Sequence, residues 1–104
     1  MKKFYLILAA LVAAISVNAT IYATGDFAAS KWDPANPVEF TETSDGVWEK
    51  KIEGVRELKI STVKGSEGDN AWNEFNGGAL HASDIQDGVA AALSKGDENI
   101  ALPQ

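Results

Sequence analysis

Three residues in this chain have the types and spacing to hold a sugar: Trp32, Lys59 and Trp72. A tryptophan ring is a flat apolar plate with an electron-rich face and a donor N–H. The C–H face of a pyranose can lie flat on it, and two such plates at an angle can grip a curved glucan. A lysine between them can donate hydrogen bonds from its ammonium to sugar hydroxyls. The same two rings could equally be core residues, since tryptophan is highly buried on average. Both readings stand on the sequence alone. Trp48 differs, because it shares the Ile52 face of an alternating segment and reads as core.

Other chemistry finds less support. His81 is the single histidine, so histidine-dependent triads and metal clusters have no partner, and it reads as an exposed loop imidazole. Glycosidases need two carboxylates at controlled separation. Fifteen acidic residues supply such pairs by chance, so their presence decides nothing. Asp45, Asp84, Asp87 and Asp97 precede or approach turns, which is ordinary turn chemistry. The run 65–70 has oxygen ligands for calcium, but reads better as a solvated loop. No glycine-rich stretch has the lysine and helix context of a phosphate cradle. The chain therefore reads as a non-enzyme without cofactor or metal.

The first element that must position a site is the stretch 21–34, IYATGDFAASKWDP. Residues 21–24 are strand-like, Gly25-Asp26 breaks the strand, and a polar loop delivers Trp32. Asp33-Pro34 fixes the exit, since the residue before proline avoids helix. Residues 38–43 alternate, with Val38 and Phe40 on one face. Ser44-Asp45-Gly46 predicts a hairpin. The return strand is 47–53, with Trp48, Lys50 and Ile52 on one face. Residues 55–64 predict another strand, with Leu58, Ile60 and Thr62 opposite Glu57, Lys59 and Ser61. Residues 71–75 predict a short strand or extended segment carrying Trp72, interrupted by Gly77-Gly78. Residues 89–93 fit one helical turn or a short strand equally well. Residues 100–102 begin a final strand. Short, turn-punctuated strands without a long amphipathic helix predict an all-β, antiparallel β-sandwich.

The first 19 residues read as a signal peptide rather than as part of that domain. Met1-Lys2-Lys3 is basic, residues 4–17 are uncharged and mostly apolar, and Val17-Asn18-Ala19 has small-residue spacing. Cleavage is predicted after Ala19. The run is short for a membrane-spanning helix, which needs roughly 20 apolar residues. The chain has no cysteine, which excludes a lipoprotein anchor and disulfides. The expected location is exported: periplasm, cell surface or secreted. The mature part, 20–104, is one domain of about 85 residues. Removing Lys2 and Lys3 from nine basic residues leaves seven against fifteen acidic, a net charge of −8. Such a surface repels phosphate backbones and argues against nucleic acid.

A resemblance sharpens the reading. Ile21-Tyr22-Ala23-Thr24-Gly25 with Trp32-Asp33, the hairpin ending Gly46-Val47-Trp48-Glu49, Glu57-Leu58-Lys59-Ile60 and Ala71-Trp72-Asn73 follow one another in order. This pattern resembles a starch-binding immunoglobulin-like domain over residues 20–102. It is similar to the glucoamylase starch-binding domain and the glycogen-binding domain of AMP-activated kinase. It is closest to the repeated domains of the SusE/SusF outer-membrane starch-binding proteins. In the glucoamylase and kinase families a Trp after the first strand, a strand Lys and a later Trp form one glucan site. The resemblance carries those roles to Trp32, Lys59 and Trp72, with Asn73 or Asn76 as the asparagine that follows. Here the lysine strand reads Leu58-Lys59-Ile60 instead of being flanked by aromatics. The implied function is a non-catalytic carbohydrate-binding module for an α-glucan such as starch or glycogen. The implied partners are that polysaccharide and other outer-membrane glycan-uptake proteins. The rival readings are a structural or protein-interaction sandwich without a working glycan site, and a small hydrolase.

The resemblance also implies that strands are missing. In the SusE/SusF-like domains a segment like Asn99-Ile100-Ala101-Leu102-Pro103 leads into a further hairpin. The expectation is a sandwich lacking its C-terminal strands, and a mature chain that is marginal or aggregation-prone alone.

Overall fold

The computed structural model describes residues 3–10 and 19–103. Nine strands and one short helix follow in chain order: β1 Lys3–Ala9, β2 Tyr22–Gly25, β3 Val38–Glu39, β4 Thr41–Ser44, β5 Val47–Glu53, β6 Glu57–Ser61, α1 Ala71–Gly77, β7 Ala79–Ala82, β8 Ala90–Lys95 and β9 Ile100–Ala101. The strands lie in one mixed sheet of order β3-β2-β6-β7-β8-β1-β5-β4, with β9 pairing β6 beside β7. Every ladder is antiparallel except that of β1 with β8.

Two connections fold that sheet onto itself. Strand β8 serves both halves: Ala90, Ala91 and Ala92 pair β1, while Leu93, Ser94 and Lys95 pair β7. At the far ends, β3 and β4 are joined through buried Phe40, whose N–H donates to the Ile21 carbonyl at 2.8 Å. The two ends of the strand order are thus neighbours in sequence, and the sheet is nearly closed. This is an all-β, sandwich-like architecture, as the strand spacing predicts. Inward residues of both halves meet in one cluster that includes Leu6, Ile21, Phe27, Trp48, Leu58, Ile60 and Leu93.

Most expected strands form where their periodicity places them. In β5, Trp48 and Ile52 point into the core; in β6, Leu58 and Ile60 do. Gly46 supplies the positive φ, +76°, at the hairpin turn. The strand expected over 55–64 is shorter at both ends. Before it, the Asp26 carboxylate accepts from the Arg56 and Glu57 N–H groups and makes a turn. After it, the Ser61 hydroxyl accepts from the Val63 N–H and turns the chain away. Of residues 89–93, all but Val89 lie in the strand β8 rather than in a helical turn, and Val89 bridges to Gln86. His81 lies in β7, half-buried, rather than on an exposed loop.

Two regions differ more. The segment expected to be extended at 71–75 is the helix α1. Ala71 and Phe75, four apart, bury one helical face, a spacing that also fits alternation over so few residues. A seven-residue helix is marginal alone. Here the Ser61 hydroxyl donates to the Phe75 carbonyl at 2.6 Å, and the Glu74 carboxylate takes both the N–H and the hydroxyl of Ser66.

The second region is the stretch read as a leader. Its residues 3–9 form β1, between β5 and β8, with Phe4, Leu6 and Leu8 facing the core. Residues 11–18, including most of the predicted cleavage signal, lie outside the described residues. Ala19 and Thr20 are half-buried, and the Trp48 indole N–H donates to the Ala19 carbonyl at 2.8 Å. Among the described residues no helix is long and apolar enough to cross a membrane.

Candidate functional site

The centre of the site is Lys59, at the middle of β6. Its neighbours Leu58 and Ile60 face the core, so alternation turns Lys59 to the opposite face. Across the ladder it pairs with Thr24 of β2. Its ammonium donates to Asn76 Oδ1 at 2.8 Å and lies 5.3 Å from the centroid of the Trp72 ring. A cation over an indole face is attracted by the ring's quadrupole. Phe75 meets Trp72 edge-on, with centroids 5.8 Å apart and planes at 75°. The ring is therefore held by two neighbours while remaining 36% exposed.

The helix is what assembles this cluster. Trp72 and Asn76 are four apart, so α1 sets them on one face, one turn from each other. An extended chain would separate them by about 13 Å, beyond the reach of a single lysine. Helical geometry also separates the two asparagines. Asn76 is half-buried against Lys59, whereas Asn73 is exposed on α1.

Trp32 sits on the neighbouring loop, half-buried. Lys31 and Trp32 both adopt left-handed backbone, with φ of 51° and 57°. That conformation is uncommon for large residues and persists only where surroundings impose it. Here they do so through hydrogen bonds. The Trp32 N–H donates to the Gly25 carbonyl at 2.7 Å, and the Lys31 N–H to the Phe27 carbonyl at 2.9 Å. The buried Thr24 and Ser30 hydroxyls share a 2.6 Å bond beneath the loop. Gly25 is required where β2 meets β6, because a Cβ there would lie 2.3 Å from the Glu57 carbonyl oxygen.

Beyond Trp32 the Asp33 carboxylate closes a turn, accepting from the Ala35 N–H at 3.0 Å and the Asn36 side-chain amide at 2.8 Å. The Asn36 bond, then the Ala35 N–H, hold this carboxyl below the usual aspartate range. Likewise the Ser66 hydroxyl, then its N–H, hold the Glu74 carboxyl below the usual glutamate range. The Gly65 N–H donates to the Pro34 carbonyl at 2.8 Å and ties the two loops together. Between them runs an open groove of about 340 Å³, lined by Asp33, Asn36, Glu67 and Trp72 among others.

Of the expected site residues, the structure brings Lys59 against both Trp72 and Asn76, puts Trp32 on the loop that enters the groove at Asp33, and leaves Asn73 exposed on α1. Asp33, Asn36 and Glu67 also line the groove, none of them among the expected sugar-binding residues. The signal for the first two was present in Asp33-Pro34-Ala35-Asn36, a turn-forming tetrapeptide read only as a loop exit. Among the described residues no three His, Asp or Glu side chains are grouped to hold a metal ion. A second cavity, about 450 Å³, lies between Phe27, Val38, Lys50 and Ile52, away from this cluster. No family model, no curated protein and no solved structure matches the chain.

Proposed function

We propose that this chain is an exported, non-catalytic carbohydrate-binding module that holds an α-glucan beside α1, its residues 1–19 serving as a leader. The observation that carries the reading is the Lys59–Trp72–Asn76 cluster, whose Trp72 also lines an open groove. A half-exposed aromatic plate beside a fixed ammonium and an amide is the equipment for a sugar ring. The plate takes the C–H face, and the polar groups take the hydroxyls. Trp32 supplies the second plate from its strained loop, and Asn73 a further donor at the rim. Asp33, Asn36 and Glu67 add acceptors and donors for hydroxyls along the groove. On this reading the module holds polysaccharide without altering it.

The test is binding to starch, glycogen, cellulose and xylan, followed by acrylamide quenching of tryptophan emission. An α-glucan should be retained and should shield Trp72 and Trp32, leaving buried Trp48 unchanged. Parent-like starch binding by both Trp32→Ala and Trp72→Ala would sink the two-plate reading. Release of reducing sugar from starch, abolished by changing one carboxylate, would replace it with a hydrolase.

A further inference from the structure

We propose that the slot between β5 and β8 is a strand-acceptor site, filled here by the chain's own residues 3–9, that takes an extended apolar segment of a partner polypeptide once the leader is removed. The inference rests on the leader reading above but not on the glycan site. In strand order that site's β6 lies three places from β1.

The occupant in place defines what the slot recognises. Along one edge β1 pairs antiparallel with β5 for seven residues, from Lys3 opposite Glu53 to Ala9 opposite Val47. Along the other edge its last three residues pair parallel with Ala90, Ala91 and Ala92. Where β8 has not yet begun, the turn before it takes over. The Tyr5 N–H donates to Asp87 Oδ1 at 2.7 Å, and the Gly88 N–H donates to the Tyr5 carbonyl at 2.9 Å. Asp87-Gly88 thus grips both backbone groups of one residue and ignores its side chain. Below the strand, Phe4, Leu6 and Leu8 fill three core positions, at 4%, 0% and 0% exposure.

Removing residues 1–19 takes all of this away at once. β5 and β8 lose a shared neighbour from the middle of the sheet, so the β4–β5 hairpin is cut from the remaining ladder. Two strand edges and an apolar trough are left open, a state that strongly favours strand addition. The filler must run antiparallel to β5, present three large uncharged side chains at alternate positions, and reach about seven residues. A second copy is a poor donor, because each strand after residue 20 already pairs within its own sheet. A separate polypeptide with a free segment of this pattern is the fitting occupant.

The experiment uses the full chain carrying Leu6→Lys and Leu8→Lys, which expels β1 without shortening the protein. Alone, this variant should lose its cooperative thermal transition or melt about 15 °C or more below the parent. A synthetic peptide of residues 3–9 added in trans should bind saturably and restore the transition. The same peptide with both leucines changed to lysine should bind at least about tenfold more weakly. Asp87→Ala in the acceptor should weaken the parent peptide about fivefold, by removing the acceptor for one backbone N–H. A variant that melts like the parent as a monomer would show that the slot needs no filler. Parent-like melting that appears only with concentration-dependent dimers would assign it to a second copy. Failure of the parent peptide to restore the transition, or equal binding of the lysine peptide, would overturn the proposal.

Discussion

In the proposed glucan site Trp72 does two things with one ring: it carries the Lys59 ammonium and meets the sugar. Its partners decide whether the lysine stays in place, and Asn76 is the one that fixes the ammonium. Asn76→Ala should therefore lower glucan affinity about tenfold, as loss of a hydrogen bond to a charged group does. Asn73→Ala should change it by less than about twofold. Titration calorimetry on the two variants separates them. Two carboxylates, Asp33 on the groove and Glu74 on α1, also set a pH limit. The Asp33 and Glu74 carboxyls titrate below their ordinary values of 3.8 and 4.5, so their turn bonds contribute stability above those values. That contribution is lost as pH falls through the depressed values. Glucan binding should accordingly hold level down to about pH 5 and decline below about pH 4. A titration series checks this. At this scale Lys59 was legible because alternation turns it away from Leu58 and Ile60. Asp33 and Asn36 were not, because turn residues look alike whether they merely close a loop or also line a groove.

At the scale of elements, α1 is the piece on which the site depends. It is too short to be stable by itself and is anchored by Phe75, which is fully buried, and by Ser61 and Ser66. Phe75→Ala should cost about 3–4 kcal/mol in urea unfolding and should weaken glucan binding with it. Gly25→Ala attacks a different junction. A Cβ driven against the Glu57 carbonyl must push β2 from β6, at a cost of about 2–3 kcal/mol. The strands β5 and β6 could be read from their alternation because one face of each is core. The helix could not. Its buried residues Ala71 and Phe75 fit either period over five positions, and the contacts that choose helix come from Ser61 and Ser66, which lie five or more residues away in sequence. That error carried its own consequence, since only the helical spacing tells Asn76 from Asn73.

At the scale of the whole molecule, one core joins both halves of a nearly closed sheet, and Trp48 is part of it with 1% exposure. Trp48→Ala should cost about 3–5 kcal/mol of stability while leaving the Lys59–Trp72–Asn76 contacts intact. Thermal unfolding, with glucan binding measured below the new midpoint, distinguishes this from a site defect. The all-β architecture followed from the hairpin at Asp45-Gly46 and the regular spacing of short apolar segments. The position of β1 was not legible. A run such as Phe4-Tyr5-Leu6-Ile7-Leu8 has the composition of an export leader and of a strand buried on both faces, and composition is all the sequence offers there.

On the proposed leader reading, the contact between Trp48 and Ala19 sets an order of events. Ala19 and Thr20 are half-buried, the carbonyl between them accepts from a buried indole, and Ile21 beyond is fully covered. A peptidase that cuts after Ala19 needs several residues on each side extended in its own cleft. It must therefore act on a chain whose core has not yet closed around Trp48. On that reading export and folding compete in time, and a precursor that folds first is protected. Purified precursor, folded beforehand, should be cut only as fast as it unfolds, and dilution from urea directly into the peptidase should release residues 20–104 far sooner.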